Sequence, residues 1–138
     1  MTNVATTAMT DTPLRHAFEY AAIRIMPRVE RGEAVNAGVI VYCQALDFLQ
    51  ARSRLSQVRV LSLDPAADLD GIELAVAAYL EVCRGGPEAG QAGADSAGRR
   101  FRWLTAPRST VVQPGPVHLG VTADPAAALD RLAARMLN

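Results

Sequence analysis

Between residues 101 and 118 the chain reads F-R-W-L-T-A-P-R-S-T-V-V-Q-P-G-P-V-H, and Arg102, Arg108, Ser109, Thr110, Gln113 and His118 crowd polar side chains into that one stretch. After the Ala106-Pro107 step, Arg108, Ser109 and Thr110 present a guanidinium and two hydroxyls in succession. With exposed backbone N–H groups beside it, such a triple can clamp an anion, because a guanidinium fork matches the oxygens of a carboxylate or phosphate. Pro114-Gly115-Pro116 stiffens the chain before His118, which lowers the cost of ordering it around a ligand. His118 could then donate a proton to a bound oxyanion.

A second cation also needs an explanation. Arg24 interrupts the apolar run from Phe18 to Met26, and a charge there must be expelled, paired or liganded. The expectation is an internal ion pair, with Glu30 or Glu33 folding back onto Arg24; a bound anion is the alternative. If Arg24 and Arg108 converge, they clamp a phosphate between them with His118 as proton donor. Set against this is plainer chemistry: Arg108 pairs with Glu30 or Glu33, the hydroxyls cap turns, His118 is hydrogen-bonded within the fold, and Trp103 is a half-buried core residue. Both readings are open at the level of sequence.

Other chemistries lack their residues. Ser109 and His118 have no G-x-S-x-G elbow and no identified orienting carboxylate. The chain contains no G-x-x-x-x-G-K-[ST] loop and no lysine to put in one, and no H-E-x-x-H. No catalytic residue and no cofactor are therefore assigned. Cys43 and Cys83, far apart and without histidines at metal spacing, make no metal site and are expected as reduced thiols in the core. Acidic and basic residues balance at 14 each, so no global field draws the protein to nucleic acid or to an anionic membrane; any anion binding is local. All the basic residues are Arg, a bias of codon usage before it is a choice of guanidinium. The first dozen residues carry no secretion signal and no apolar run reaches membrane-spanning length, so a cytoplasmic location is expected.

The elements that must position these side chains are legible from periodicity. The chain has room for one domain over 14–138 after a flexible tail at 1–13. Phe18 to Met26, Ala37 to Cys43 and Asp47 to Arg52 read as strands of an antiparallel meander. Asn36 leads into Ala37-Gly38, where close backbone approach is cheap. A short helix is expected within Arg54–Leu63, and Asp68 caps a longer one ending near Cys83. Residues 84–98 read as a mobile loop, Phe101–Leu104 as a strand or turn, and Val111–Gln113 as a brief strand. Asp124-Pro125 starts a last helix carrying Leu129, Leu132, Ala133 and Met136. The fold class is α+β: an antiparallel sheet meander with two main helices packed on one face.

Three segments in order carry a family resemblance: F-E-Y-A-A-I-R-I-M-P-R-V-E-R-G-E-A-V-N-A-G-V-I-V-Y-C, then L-S-L-D-P-A-A-D-L-D, then the stretch quoted first. With them the chain resembles the bacterial family known as domain of unknown function 3037. Members are often encoded beside a HipA-like kinase, so the resemblance implies an accessory or adaptor protein acting with such a kinase. The matching positions are Arg24, Arg28, Glu30, Arg31 and Asn36 in the first segment, and Arg102, Trp103, Arg108, Ser109, Thr110, Gln113 and His118 in the last. The leading expectation is a non-enzymatic binding protein that uses these residues on a partner; the alternative is a phosphate- or nucleotide-binding domain taking a small anionic ligand.

Overall fold

The computed structural model describes residues 13–138; the expected tail lies, but for its last residue, outside them. Strands β1 (His16–Ile25), β2 (Val35–Cys43) and β3 (Phe48–Ser53) form the antiparallel meander, as their β-branched and aromatic content dictates. The other edge of β1 is shared by two short antiparallel strands. β4 (Val112–Pro114) pairs with its C-terminal part and β5 (His118–Thr122) with its N-terminal half. Between them Pro114 and Pro116 have no N–H to give a ladder, so only the Gly115 N–H bonds across, to the Ala22 carbonyl at 2.8 Å. β5 was not expected from sequence: H-L-G-V-T is short, and its glycine hides the alternation.

One irregularity decides which way Asn36 of β2 points. Ile23 lies opposite Gly38 but Arg24 lies opposite Asn36, leaving Ala37 as an extra residue in β2, a β-bulge. A Cβ on residue 38 would sit 2.9 Å from the Ile23 Cδ1 and 3.1 Å from the Arg52 carbonyl oxygen, so the close approach requires glycine. The bulge lets Ala37 share a core with Ile23 and turns Asn36 to the opposite face, where the alternation of β1 already places Arg24.

Five helices cover the sheet: α1 (Gln57–Leu63), α2 (Leu69–Arg84), the single turn α3 (Gln91–Ala94), α4 (Ala97–Thr105) and α5 (Pro125–Met136). Asp68 accepts from the Gly71 N–H to start α2, and Asp124 accepts from Ala126 and Ala127 to start α5, both as expected. Ser96 caps α4 in the same way. The 101–104 segment is therefore helical, not a strand or turn: Phe101 and Leu104 are spaced three apart and both fully buried, so the helical face outweighs the aromatic bias toward strand. Residues 84–98 are also more ordered in backbone than a plain loop, holding a 3-10 turn at Pro87–Ala89 and then α3.

The helices lie on both faces, which corrects the one-face expectation. Ile23, Ile25, Ile40, Ile72, Val76, Tyr79, Phe101 and Leu104 form the core between the sheet, α2 and α4. Phe18, Val39, Val41 and Leu129 form a second one under α5. β2 carries Val39 and Val41 on one side and Ile40 on the other, all fully buried, and a strand apolar on both sides needs two covers. Cys43 and Cys83 are buried free thiols, one in each core. Among the described residues no helix is long and apolar enough to cross a membrane.

Candidate functional site

α4 ends at Thr105, and the chain from Ala106 runs back along α2 toward β4. This return brings Arg108 between two aromatic rings. Its guanidinium carbon lies 4.3 Å from the Trp103 ring centre and 5.0 Å from that of Tyr79, within the range of cation–π attraction. One terminal nitrogen donates to the Tyr79 hydroxyl and the other to the Trp103 carbonyl. Both partners are neutral. Neither Glu30 nor Glu33 reaches Arg108: they pair with Arg28 at 3.8 Å and Arg31 at 2.8 Å. Arg108 is thus held in place while its charge has no carboxylate partner among the described residues.

Beside this clasp runs an open cleft of about 710 Å³, within the size range of ligand sites. One wall is α2, where Gly71, Ala75 and Ala78 recur at helical spacing and leave a trough. The opposite wall is Trp103, Arg108 and the 110–112 segment, and Ile72 and Tyr79 lie at the base. Asp64 and Asp68 also line it, at the start of α2. Their carboxylates already accept backbone N–H groups of Ala66 and Gly71. From Asp68 to Tyr79 is eleven residues, or about 16 Å at the rise of an α-helix, so the acid and base ends of the cleft are well separated. The middle is apolar.

The remaining expected site residues divide between the two faces of the sheet. Trp103, with 46% of its surface exposed, is no core residue but the rim of the cleft. Thr110 also lines the cleft, and its hydroxyl donates to the Val112 carbonyl; Ser109 is exposed nearby. Arg102 points away and pairs with Glu19 at 2.7 Å. Arg28 is exposed beside Glu30.

Arg24, Asn36, Gln113 and His118 belong to the α5 side. Arg24 stands opposite Asn36 on one flank and Gln113 on the other. Asn36 donates to the Met136 carbonyl at 3.4 Å, and the buried Gln113 donates to the Thr110 carbonyl at 2.6 Å. His118 packs its ring 5.2 Å from that of Tyr20. The expected ion pair of Arg24 with Glu30 or Glu33 is absent, because the 3-10 turn and Gly32 direct both acids to their own neighbouring arginines. Nor can Arg24 and Arg108 grip one phosphate, since the sheet lies between them.

A family model described as "Protein of unknown function (DUF3037)" matches residues 20–137. The chain belongs to that family. The match takes in all five helices, β2 to β5 and the cleft, so this DUF3037 protein carries the cleft within the family's own span. No curated protein and no solved structure matches the chain.

Sequence reasoning missed one wall of the site. The small residues of α2 that face the cleft are Gly71, Ala75 and Ala78, and none of them carries a side chain that marks a site in the sequence. The readable signal was that small residues recur on a second face next to Tyr79.

Proposed function

We propose that this DUF3037 protein is a non-enzymatic accessory protein that holds a partner through the cleft between α2 and the 103–112 segment. The observation that carries the reading is Arg108: clasped by two aromatic rings, bonded only to neutral groups, and placed at the end of an apolar trough. A preorganised cation next to apolar surface suits a partner segment that presents a hydrophobic side chain beside a carboxylate. Little ordering cost remains to be met on binding. No nucleophile with an orienting base accompanies Arg108 in the cleft, so binding is the chemistry its lining supports.

The family resemblance supplies the first partner to try, a HipA-like kinase of the kind often encoded beside members of the family. Co-expression followed by size-exclusion chromatography at micromolar concentration tests it. The wild-type protein should elute with the kinase. Ala78→Trp, which fills the trough at an exposed position, should elute alone with its melting temperature kept. Separate elution of the wild-type protein, or unimpaired complex formation by Ala78→Trp, overturns the proposal.

A further inference from the structure

The charged residues that line the α2 cleft are Asp64, Asp68 and Arg108, and the two signs stand at opposite ends of it. Arg108 closes one end against Tyr79. The two carboxylates lie at the other, the length of α2 from Tyr79 back to Asp68, about 16 Å at the rise of a helix. Among the described residues none of the three forms an ion pair. Asp64 and Asp68 each give Oδ1 to a backbone N–H, of Ala66 and Gly71, and the second oxygen of each carboxylate has no such partner. The positive start of α2 offsets part of this charge, but a helix end carries only about half an elementary charge and two carboxylates stand there. That end stays acidic, as the Arg108 end stays basic.

Between the ends no charged side chain interrupts the lining, which is Gly71, Ile72, Ala75 and Ala78 on α2 with Val111 and Val112 across from them. Both rims continue the apolar surface outward. Leu74, 73% exposed, stands beside Ala78 on the outer flank of α2, and the exposed Trp103 rims the other wall. An occupant lying lengthwise meets apolar surface along its middle and a charge at each end. An extended chain covers that length in about five residues. A helix needs about eleven, roughly twice the chain in a cleft of about 710 Å³.

We infer that the occupant of the cleft is an extended partner segment of mixed charge, with a carboxylate on Arg108, an apolar stretch in the trough, and a basic side chain about five residues away against Asp64 and Asp68. This rests on the docking reading of the cleft and adds the sign and spacing of the charges. An acidic segment would set its second anion against two carboxylates, and a basic one would set a cation on Arg108; such like-charge contacts exclude wrong partners and fix register.

Blocked hexapeptides are the probe, titrated to about 1 mM to reach weak binding and read by the fluorescence of Trp103, the single tryptophan. One peptide has Lys at one end, Glu at the other and Leu and Ala between; in the second, Gln replaces Lys. The wild-type protein should bind the Lys peptide at least about threefold more tightly than the Gln peptide, the scale of one exposed ion pair. The double variant Asp64→Asn, Asp68→Asn keeps an acceptor oxygen for both backbone N–H groups and should keep its melting temperature, and it should bind the two peptides alike. Equal binding of both peptides by the wild-type protein, or a preference for Lys that survives in the double variant, overturns the inference. If Ala78→Trp then still excludes both peptides, the docking reading stands and only the assigned charge order falls. If the wild-type protein binds neither peptide, or Ala78→Trp binds both unimpaired, the docking reading falls and takes the inference with it.

Discussion

Replacing Arg108 by Ala removes more than a ligand contact. The guanidinium bonds the Tyr79 hydroxyl and the Trp103 carbonyl and stacks on both rings. Hydrogen bonds from a charged donor contribute about 1.5–3 kcal/mol each; the lower end applies here, because Arg108 is only half-buried and water can replace it at both acceptors. Stacking adds about 0.5–1 kcal/mol per ring at such an exposed site. Freeing the long side chain returns up to about 2 kcal/mol of rotamer entropy. The net expectation is a loss of about 2–3 kcal/mol. Urea unfolding followed by circular dichroism measures it, with the fluorescence of Trp103, the single tryptophan, reporting the loss of the stacked cation. Arg108→Lys should recover less than half, since an ammonium cannot bond two divergent acceptors while lying flat on a ring. A destabilisation below about 0.5 kcal/mol, the size of ordinary surface substitutions, would show that the clasp does not organise the cleft wall.

Other consequences are open to direct measurement. Gly38→Val drives a branched side chain against Ile23 and the Arg52 carbonyl at the bulge and should cost about 1–3 kcal/mol by overpacking, read from the urea midpoint. Burial pushes the Cys83 thiol up from its usual 9.0 to about 11, with Arg100 and Arg84 opposing the shift. The folded state thus holds the proton more tightly than the unfolded chain, so this contribution is complete below pH 9 and is lost as pH rises from 9 toward 11. On the order of 1–3 kcal/mol should disappear across that window, and Cys83→Ala should flatten the decline. Equal slopes for wild type and variant would contradict the assignment to Cys83. Glu19→Gln, which breaks the partly exposed pair with Arg102, should cost no more than about 1 kcal/mol and leave the α2 cleft intact.

Much of the architecture could be read from residues acting locally. Asp68 and Asp124 announce their helices because a side-chain carboxylate satisfies the first free N–H groups whatever packs around it. The meander is legible because β-branched and aromatic residues cluster between turn residues. Phe101–Leu104 misled because its aromatic composition suits a strand, while the burial of one helical face is decided by what lies opposite. β5 escaped notice for a related reason: Leu119 and Val121 are 76% and 60% exposed, so its residues lack the core alternation that marks a half-buried strand. The site was half legible. The 103–112 stretch stood out by its donors, but Gly71, Ala75 and Ala78 matter to the cleft only because Trp103 and Arg108 are brought to face them.

By itself the chain determined the α+β class, the helix starts at Asp68 and Asp124, the family and the presence of two cations needing an account, since each depends on residue type and short-range spacing. Tertiary structure decided the company those cations keep. The alternation of β1 against two covering layers, and the return of the chain after α4 along α2, place Arg24 and Arg108 on opposite sides of one sheet, and which layer covers which face is set by partners distant in sequence. The guanidiniums that look like one clamp along the chain therefore lie on separate faces of the fold.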